Sequence, residues 1–455
     1  MKKEEINSIV SAQRSFFRTG ATLPVSFRID ALKRLREALC RNEDKIARAI
    51  EYDLGKNAFE SYMCETGLVI SEIGHMLRHI KSYAREKTVP TPLAHFPSRS
   101  FVKPVPHGTV LIMSPWNYPL LLTFSPLVDA ISAGNTAVVK PSAYSPETCR
   151  VIGEIISEIF PPEYVAFIPG GREENTYLLD ERFDYIFFTG SKAVGELVLT
   201  KAARLLTPVT LELGGKSPCI VDESANIPLT AKRLVWGKFL NGGQTCVAPD
   251  YVLCHKSVSR ALTDALCAEI KRQYPSLSDC GKIINKKHFD RIVSLIDTGK
   301  TVCGGKSDVN LLKIEPTVMT GVSLADAVMQ EEIFGPVLPI LEYSSLVEAF
   351  DIIESFDRPL ALYVFSKNKK IQREILSRIP FGGGCINDTV IHLATSAMGF
   401  GGVGESGMGA YHGKCGFDTF SHHKSIVNKK TWLDLPMRYR PFKRFYGSLI
   451  RLFLR

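Results

Sequence analysis

The chain reads as an α/β protein: two tandem, Rossmann-like doubly wound domains with an oligomerisation arm. Two observations predict this. Short apolar runs alternate with helical stretches, as in parallel strands joined by crossover helices. The alternation occurs twice, once from Gly108 and again after Glu212, with segments of different character around it.

Leu32, Leu35, Leu39, Ile46 and Ile50 recur at helical spacing, with Asp30 placed to cap the start, so the N-terminal region is expected to be mainly helical. Residues 88–106 hold five prolines, which exclude helix and central strand but suit an extended arm or edge hairpin reaching a neighbour. The first strand set is GTVLIMS, NTAVVK, YVAFIP and DYIFF; the second is SPCIVD, DYVLCH, PVLPILEY and ALYVFS. The tail PMRYRPFKRFYGSLIRLFLR has six basic residues, no acid, and Phe442, Phe445, Tyr446, Leu449, Ile450 and Phe453 at helical spacing. It predicts a basic amphipathic helix, suited either to weak membrane-surface contact or to capping a partner subunit.

The bulk properties exclude several classes. With 455 residues, 45% hydrophobic and 23% charged, the chain has material for large cores. Its net charge of +9 is spread along the sequence and mixed with acids, which gives no basic stripe for nucleic acid. The start MKKEEINSIVSAQRSFF lacks the apolar run of a secretory signal, and no stretch of about 18 uninterrupted apolar residues occurs, so a cytoplasmic location is expected. Eleven scattered cysteines without a CxxC pair support neither a disulfide framework nor a metal site.

Four stretches can carry chemistry, and each also has a purely structural reading. The run DYIFF leads through Thr189, Gly190 and Ser191 into a helix, whose free N–H groups can receive an anion; without a GxGxxG spacing, a ligand-free turn fits as well. Lys140 ends a strand-like run at the carboxyl edge where open α/β sheets bind ligands, and could hold ribose hydroxyls or phosphate, or simply meet solvent. Cys246 follows a glycine pair that lets the backbone approach a small substrate, yet a buried structural thiol fits the same residues. Glu212, between leucines and before two glycines, suits either a partly buried carboxylate of raised pKa or a structural acid.

Taken together, PWNYP with Asn117, VVKPS with Lys140, FFTGS with Gly190, LELGGKSP with Glu212, GQTCVAPDY with Cys246, EEIFGPV with Glu332 and Phe334, and FGGVGESGMGAYHG resemble the aldehyde dehydrogenase superfamily, specifically its class 3 branch. The resemblance spans almost the whole chain and keeps the family's motif order. It implies NAD(P)-dependent oxidation of an aldehyde to a carboxylic acid. Cys246 would be the nucleophile, Asn117 and the Cys246 N–H the oxyanion donors, and Glu212 the base that activates hydrolytic water. Lys140 and Glu332 would meet the two riboses of NAD or NADP, Phe334 the nicotinamide, and Gly190 and Ser191 the pyrophosphate. The resemblance further implies a homodimer and medium- or long-chain aliphatic or aromatic aldehydes as substrates. On this basis residues 1–87 and 107–212 form the dinucleotide-binding domain, 213–409 the catalytic domain, 88–106 and 410–430 the oligomerisation arm, and 431–455 the basic amphipathic tail.

A coenzyme A-acylating enzyme would share Cys246 but would have no need of a water-activating Glu212, and a non-catalytic dinucleotide-binding protein would have no reason to keep Cys246, Glu212 and Asn117 together. Two positions depart from the family pattern. Gly399 stands where relatives usually have proline, which is expected to loosen a loop near the substrate mouth. Ala143 stands three residues after Lys140, where many relatives carry a glutamate that would repel a 2′-phosphate. NADP is therefore expected to serve alongside NAD, with Lys140 at its phosphate. Comparing kcat/KM for the two cofactors tests this, and a preference for NAD of about a thousandfold would overturn it.

Overall fold

The computed structural model describes residues 1–453, apart from the side chains of Leu449, Leu452 and Phe453; the tail reading at Leu449 and Phe453, and the last two residues, lie outside the described part. Every apolar run expected to be a strand forms one. In the first sheet the spatial order is Gly407–Met408, Val209–Glu212, Tyr185–Thr189, Thr109–Met113, Thr136–Lys140, Val165–Phe167, all parallel except the first. Strands Thr109–Met113, Thr136–Lys140 and Tyr185–Thr189 are buried along their whole length, which explains why they read as continuous apolar runs and not as alternating ones.

Strand order reverses between Thr109–Met113 and Tyr185–Thr189, because their crossovers leave in opposite directions. A crevice opens there at the carboxyl ends of the strands. Two loops flank it: Ser114 to Asn117 after one strand, and Gly190 with Ser191 after the other.

The second sheet has seven strands in the order Thr301–Cys303, Thr317–Met319, Val337–Tyr343, Tyr251–His255, Pro218–Val221, Ala361–Phe365, Gly383–Ile386. Only Thr301–Cys303 runs antiparallel to its neighbour.

Several expectations are corrected. Asp30 is not a cap: the helix starts earlier, at Val25 after Pro24, and Asp30 lies within it, paired with Arg34 at 3.1 Å. The chain then breaks at Asn42 and restarts as Glu43–Leu54. The proline-rich segment does supply a central strand, Ser98–Pro106, between Lys87–Val89 and Ser421–Lys429. Lys87–Val89 reaches only residues 100–102, so Pro104 and Pro106 lie where just one edge is paired and a missing N–H is tolerated. Residues 410–420 are not part of an extended arm, because Tyr411, Phe417 and Phe420 are buried in the main core and helix Gly413–Thr419 packs on Leu121–Ala133. Finally, Gly407–Met408, read as the end of the second domain, pairs with Leu211 and Glu212 in the first sheet.

Gly399 is packed, not loose: a Cβ there would approach the Cys415 Sγ to 2.9 Å. The tail forms helix Arg444–Phe453 near Leu93–His95. No described helix is long and apolar enough to cross a membrane.

Candidate active site

Cys246 stands where two cavities meet. Its loop is built from three consecutive left-handed residues, Asn241 (φ 55°), Gly242 (φ 61°) and Gly243 (φ 75°). Glycine is needed at the third, because a Cβ there would come within 2.3 Å of the Gly335 carbonyl oxygen. The Gln244 side chain then pins the turn, donating to the carbonyls of Asn241 and Lys282 at 3.0 Å and accepting from the Ile284 N–H at 3.0 Å. The Thr245 hydroxyl meets the Tyr118 hydroxyl at 2.6 Å. The Cys246 side chain is thereby fixed in direction although its loop has no regular secondary structure.

Asn117 is held from behind. The Lys56 Nζ donates to the Asn117 carbonyl at 3.0 Å and pairs with Glu65 at 2.7 Å, both side chains having no solvent exposure. Glu65 also accepts from the Leu120 N–H at 2.8 Å, and Lys56 sits 3.9 Å from the centre of the Tyr118 ring. The Asn117 Nδ2 donates to the Gln244 carbonyl at 3.0 Å, and Asn241 Nδ2 returns to the Asn117 carbonyl at 2.7 Å. An amide nitrogen carries two hydrogens, so one Asn117 N–H stays free to meet developing charge beside Cys246.

The first cavity, about 380 Å³, lies in the crevice where strand order reverses, and Asn117, Gly190, Ser191, Glu212, Glu332 and Phe334 line it with Cys246. Its chemistry fits a dinucleotide. Ser191 precedes helix Lys192–Ala203 without capping it through its side chain, which leaves N–H donors for a pyrophosphate. The Thr189 hydroxyl and both Glu212 carboxyl oxygens are buried without any partner. Phe334, at φ 46°, meets the Trp116 ring edge-on at 5.4 Å and presents a flat apolar wall. Glu332 lies across Gly214, where a Cβ would come within 2.1 Å of its carboxylate. Lys140 stands apart from this cavity, buried, with its Nζ donating to the carbonyls of Pro141 at 2.8 Å and Gly170 at 2.6 Å.

The electrostatics of this site are dominated by burial. Glu212 is pushed well above the usual carboxylate range by desolvation alone. Glu332 is raised to about 8, first by burial and then by the Asp250 charge. The Cys246 thiol is pushed up to about 12, by burial and then by the charges of Glu332 and Glu212, while the N–H groups of Cys246 and Val247 pull the other way. Burial thus favours the protonated form of both the thiol and Glu212.

The second cavity, about 280 Å³, opens on the other side of Cys246 and is walled almost wholly by apolar side chains, among them Met63, Leu68, Trp236, Val390, Phe400 and Tyr411. Thus a half-buried thiol stands between a dinucleotide crevice and an apolar chamber, with an amide donor and a buried carboxyl close by. A sequence profile described as the aldehyde dehydrogenase family matches residues 1–426. The chain belongs to the aldehyde dehydrogenase family.

Among similar proteins, the 4,4'-diaponeurosporen-aldehyde dehydrogenase of Staphylococcus aureus is 47% identical over 436 residues, covering 94% of this chain and 95% of the relative. The dimeric, NADP-preferring aldehyde dehydrogenase of Canis lupus familiaris is 40% identical, covering 96% and 98%. The solved structure of the substrate-bound state of Staphylococcus aureus AldH matches with a TM-score of 0.97 at 45% identity, covering 99% of each chain. The protein is thus an NAD(P)-dependent aldehyde dehydrogenase that oxidises an aldehyde substrate.

Of the eight residues singled out from sequence, seven line one cavity and Lys140 does not. Sequence reading missed Thr189 and Trp116 in the aldehyde dehydrogenase crevice, the whole wall of the apolar chamber, and the Lys56–Glu65 pair. Lys56 follows a glycine and precedes an ordinary helix, so nothing local marks it. Lys56→Met is expected to destabilise the protein by about 3–5 kcal/mol by leaving Glu65 buried and unpaired. Urea unfolding measures this, and Lys56→Met with Glu65→Leu should regain most of the loss; equal destabilisation by the single and double variants would contradict it.

Proposed function

We propose that Cys246 carries the reaction as nucleophile, and the observation that supports this most is its position at the junction of the dinucleotide crevice and the apolar chamber. The thiol gives its proton to solvent, and the sulfur bonds to the aldehyde carbon as the carbonyl π bond opens onto oxygen, giving a thiohemiacetal oxyanion that the free Asn117 N–H and the Cys246 backbone N–H would meet. Gly190 and Ser191 would hold the pyrophosphate of NAD(P), Lys140 and Glu332 its riboses, and Phe334 its nicotinamide. When bound, that cofactor supplies the hydride acceptor and a positive charge near the thiol. Loss of hydride from the substrate carbon leaves a thioester on Cys246. Glu212, once it has given its own proton to solvent, takes a proton from water as the water oxygen bonds to the acyl carbon, and the carbon–sulfur bond breaks with the Cys246 sulfur as leaving group, releasing the acid.

Burial raises both working groups above their ordinary ranges, so their reactive, deprotonated forms grow as pH rises, and kcat is expected to increase with pH through the neutral range. Cys246→Ser should abolish turnover while retaining cofactor binding, and Glu212→Gln should leave a burst of NAD(P)H with slow steady-state release. NAD(P)H should form without coenzyme A; a requirement for coenzyme A would establish the acylating reaction instead.

The substrate class we infer is a medium- or long-chain aliphatic or aromatic aldehyde, because the chamber offers such a chain apolar contacts and little else. A panel of aldehydes graded by chain length tests it, and kcat/KM that does not change with length would refute it.

We further infer the domain roles read from the sequence, with the boundaries as corrected above: 1–87 with 107–212 for the dinucleotide, 213–406 for catalysis, and 88–106 with 421–430 for pairing two copies. The nine residues of Ser421–Lys429 are hydrogen-bonded along one edge only, and such an edge invites a partner strand. Exposed Phe442 and Phe445 beside the basic residues of the tail support weak contact with an anionic membrane surface, and eleven unpaired thiols suit the reducing cytoplasm. Light scattering should give a dimer, and cosedimentation with anionic vesicles should fall when residues 431–455 are removed; a monomer, or unchanged cosedimentation, would count against the respective reading.

A further inference from the structure

The apolar chamber at Cys246 shares part of its wall with a second, more polar pocket. Leu68, Leu121, Leu393, Ala394 and His412 line the chamber and also one side of a smaller annex of about 20 Å³, whose remaining wall includes Glu72, Ser125 and Ser396. That volume admits one water-sized group. Ser125 has no solvent exposure, and its hydroxyl has no hydrogen-bond partner among the described residues. A buried hydroxyl left unpaired is costly, and most are satisfied by protein, water or ligand.

The rest of the annex is built rigidly. Glu72 accepts from the Gly413 N–H at 2.7 Å and from the Ser396 hydroxyl, with the His412 Nδ1 3.8 Å from the same carboxylate oxygen as that hydroxyl. His412 is held at φ 80°, stacked on Tyr411 at 4.0 Å, and its N–H donates to Asp129 at 3.3 Å. Gly413 must be glycine, since a Cβ would come within 1.9 Å of the Ser396 carbonyl oxygen. Burial, and then the charge of Glu72, push the carboxyl of the neighbouring Asp129 well above its usual range. None of these groups has a part in the chemistry at Cys246.

We propose that the annex receives a hydroxyl carried at the end of the substrate remote from its aldehyde, making ω-hydroxy-aldehydes of one chain length favoured substrates. The hydroxyl would accept from Ser125 and donate to a Glu72 oxygen, which a methyl end cannot do. A terminal carboxylate would meet the carboxyl groups of Glu72 and Asp129, and an ammonium with its hydration exceeds the space. The proposal rests on the reading of the chamber as the substrate site.

The test is kcat/KM of the wild-type enzyme, saturated with cofactor, for n-alkanals and ω-hydroxy-alkanals of matched carbon number. At most lengths the hydroxyl should lower kcat/KM, because it is buried against apolar walls. At one length it should raise kcat/KM by about three- to tenfold through KM. At that length Ser125→Ala should bring the ratio of hydroxy-alkanal to alkanal to one or below, a ratio that general damage to the fold would not change. A hydroxyl that is unfavourable at every length, or a gain that survives Ser125→Ala, overturns the annex. Length dependence among plain alkanals with no hydroxyl gain refutes the annex alone, whereas no length dependence at all refutes the chamber reading and the annex with it.

Discussion

The buried Lys56–Glu65 pair ties together most of what surrounds Cys246. A lone charge at that depth would be strongly unfavourable, so the two residues must stay together and their spare hydrogen-bonding capacity must be used. It is used on the Asn117 carbonyl and on the Leu120 and Leu121 N–H groups, which open helix Leu121–Ala133. The N-terminal helices thereby set the position of the Asn117 amide beside Cys246. Preorganised donors are effective because they need not move when charge develops, and this ion pair keeps Asn117 in place.

A second constraint is close approach between backbones. Gly243 beside Gly335 brings the nucleophile loop against the loop of Phe334, and Gly214 lets Glu332 lie just past Glu212. In each case a methyl group would displace part of the site. The glycines here act less by flexibility than by bringing the nucleophile loop and the Glu332–Phe334 loop to the same crevice from distant parts of the sequence.

Burial then sets the chemistry. Cys246, Glu212 and Glu332 all sit above their usual ranges for the same first cause, loss of water. Burial therefore favours the less reactive thiol form of Cys246 and the uncharged form of Glu212. Activation then has to come with what binds, which couples nucleophile strength to loading of the crevice.

The sequence by itself determined the fold class, because strands buried on both faces must be written as continuous apolar runs, and all eight such runs became strands. It also marked Cys246, Glu212, Asn117 and most of the crevice, since long motifs in order carry that information. It could not place Pro104 and Pro106 in a central strand, because which edge is paired depends on how far Lys87–Val89 extends. Nor could it put Tyr411 in the core or separate Lys140 from the other seven residues. The apolar chamber, the annex behind it and the Lys56–Glu65 pair were decided only by tertiary structure. The chamber and the annex join residues from distant segments, the pair is brought together by burial of both charges, and none of the three leaves a periodic or local mark on the chain.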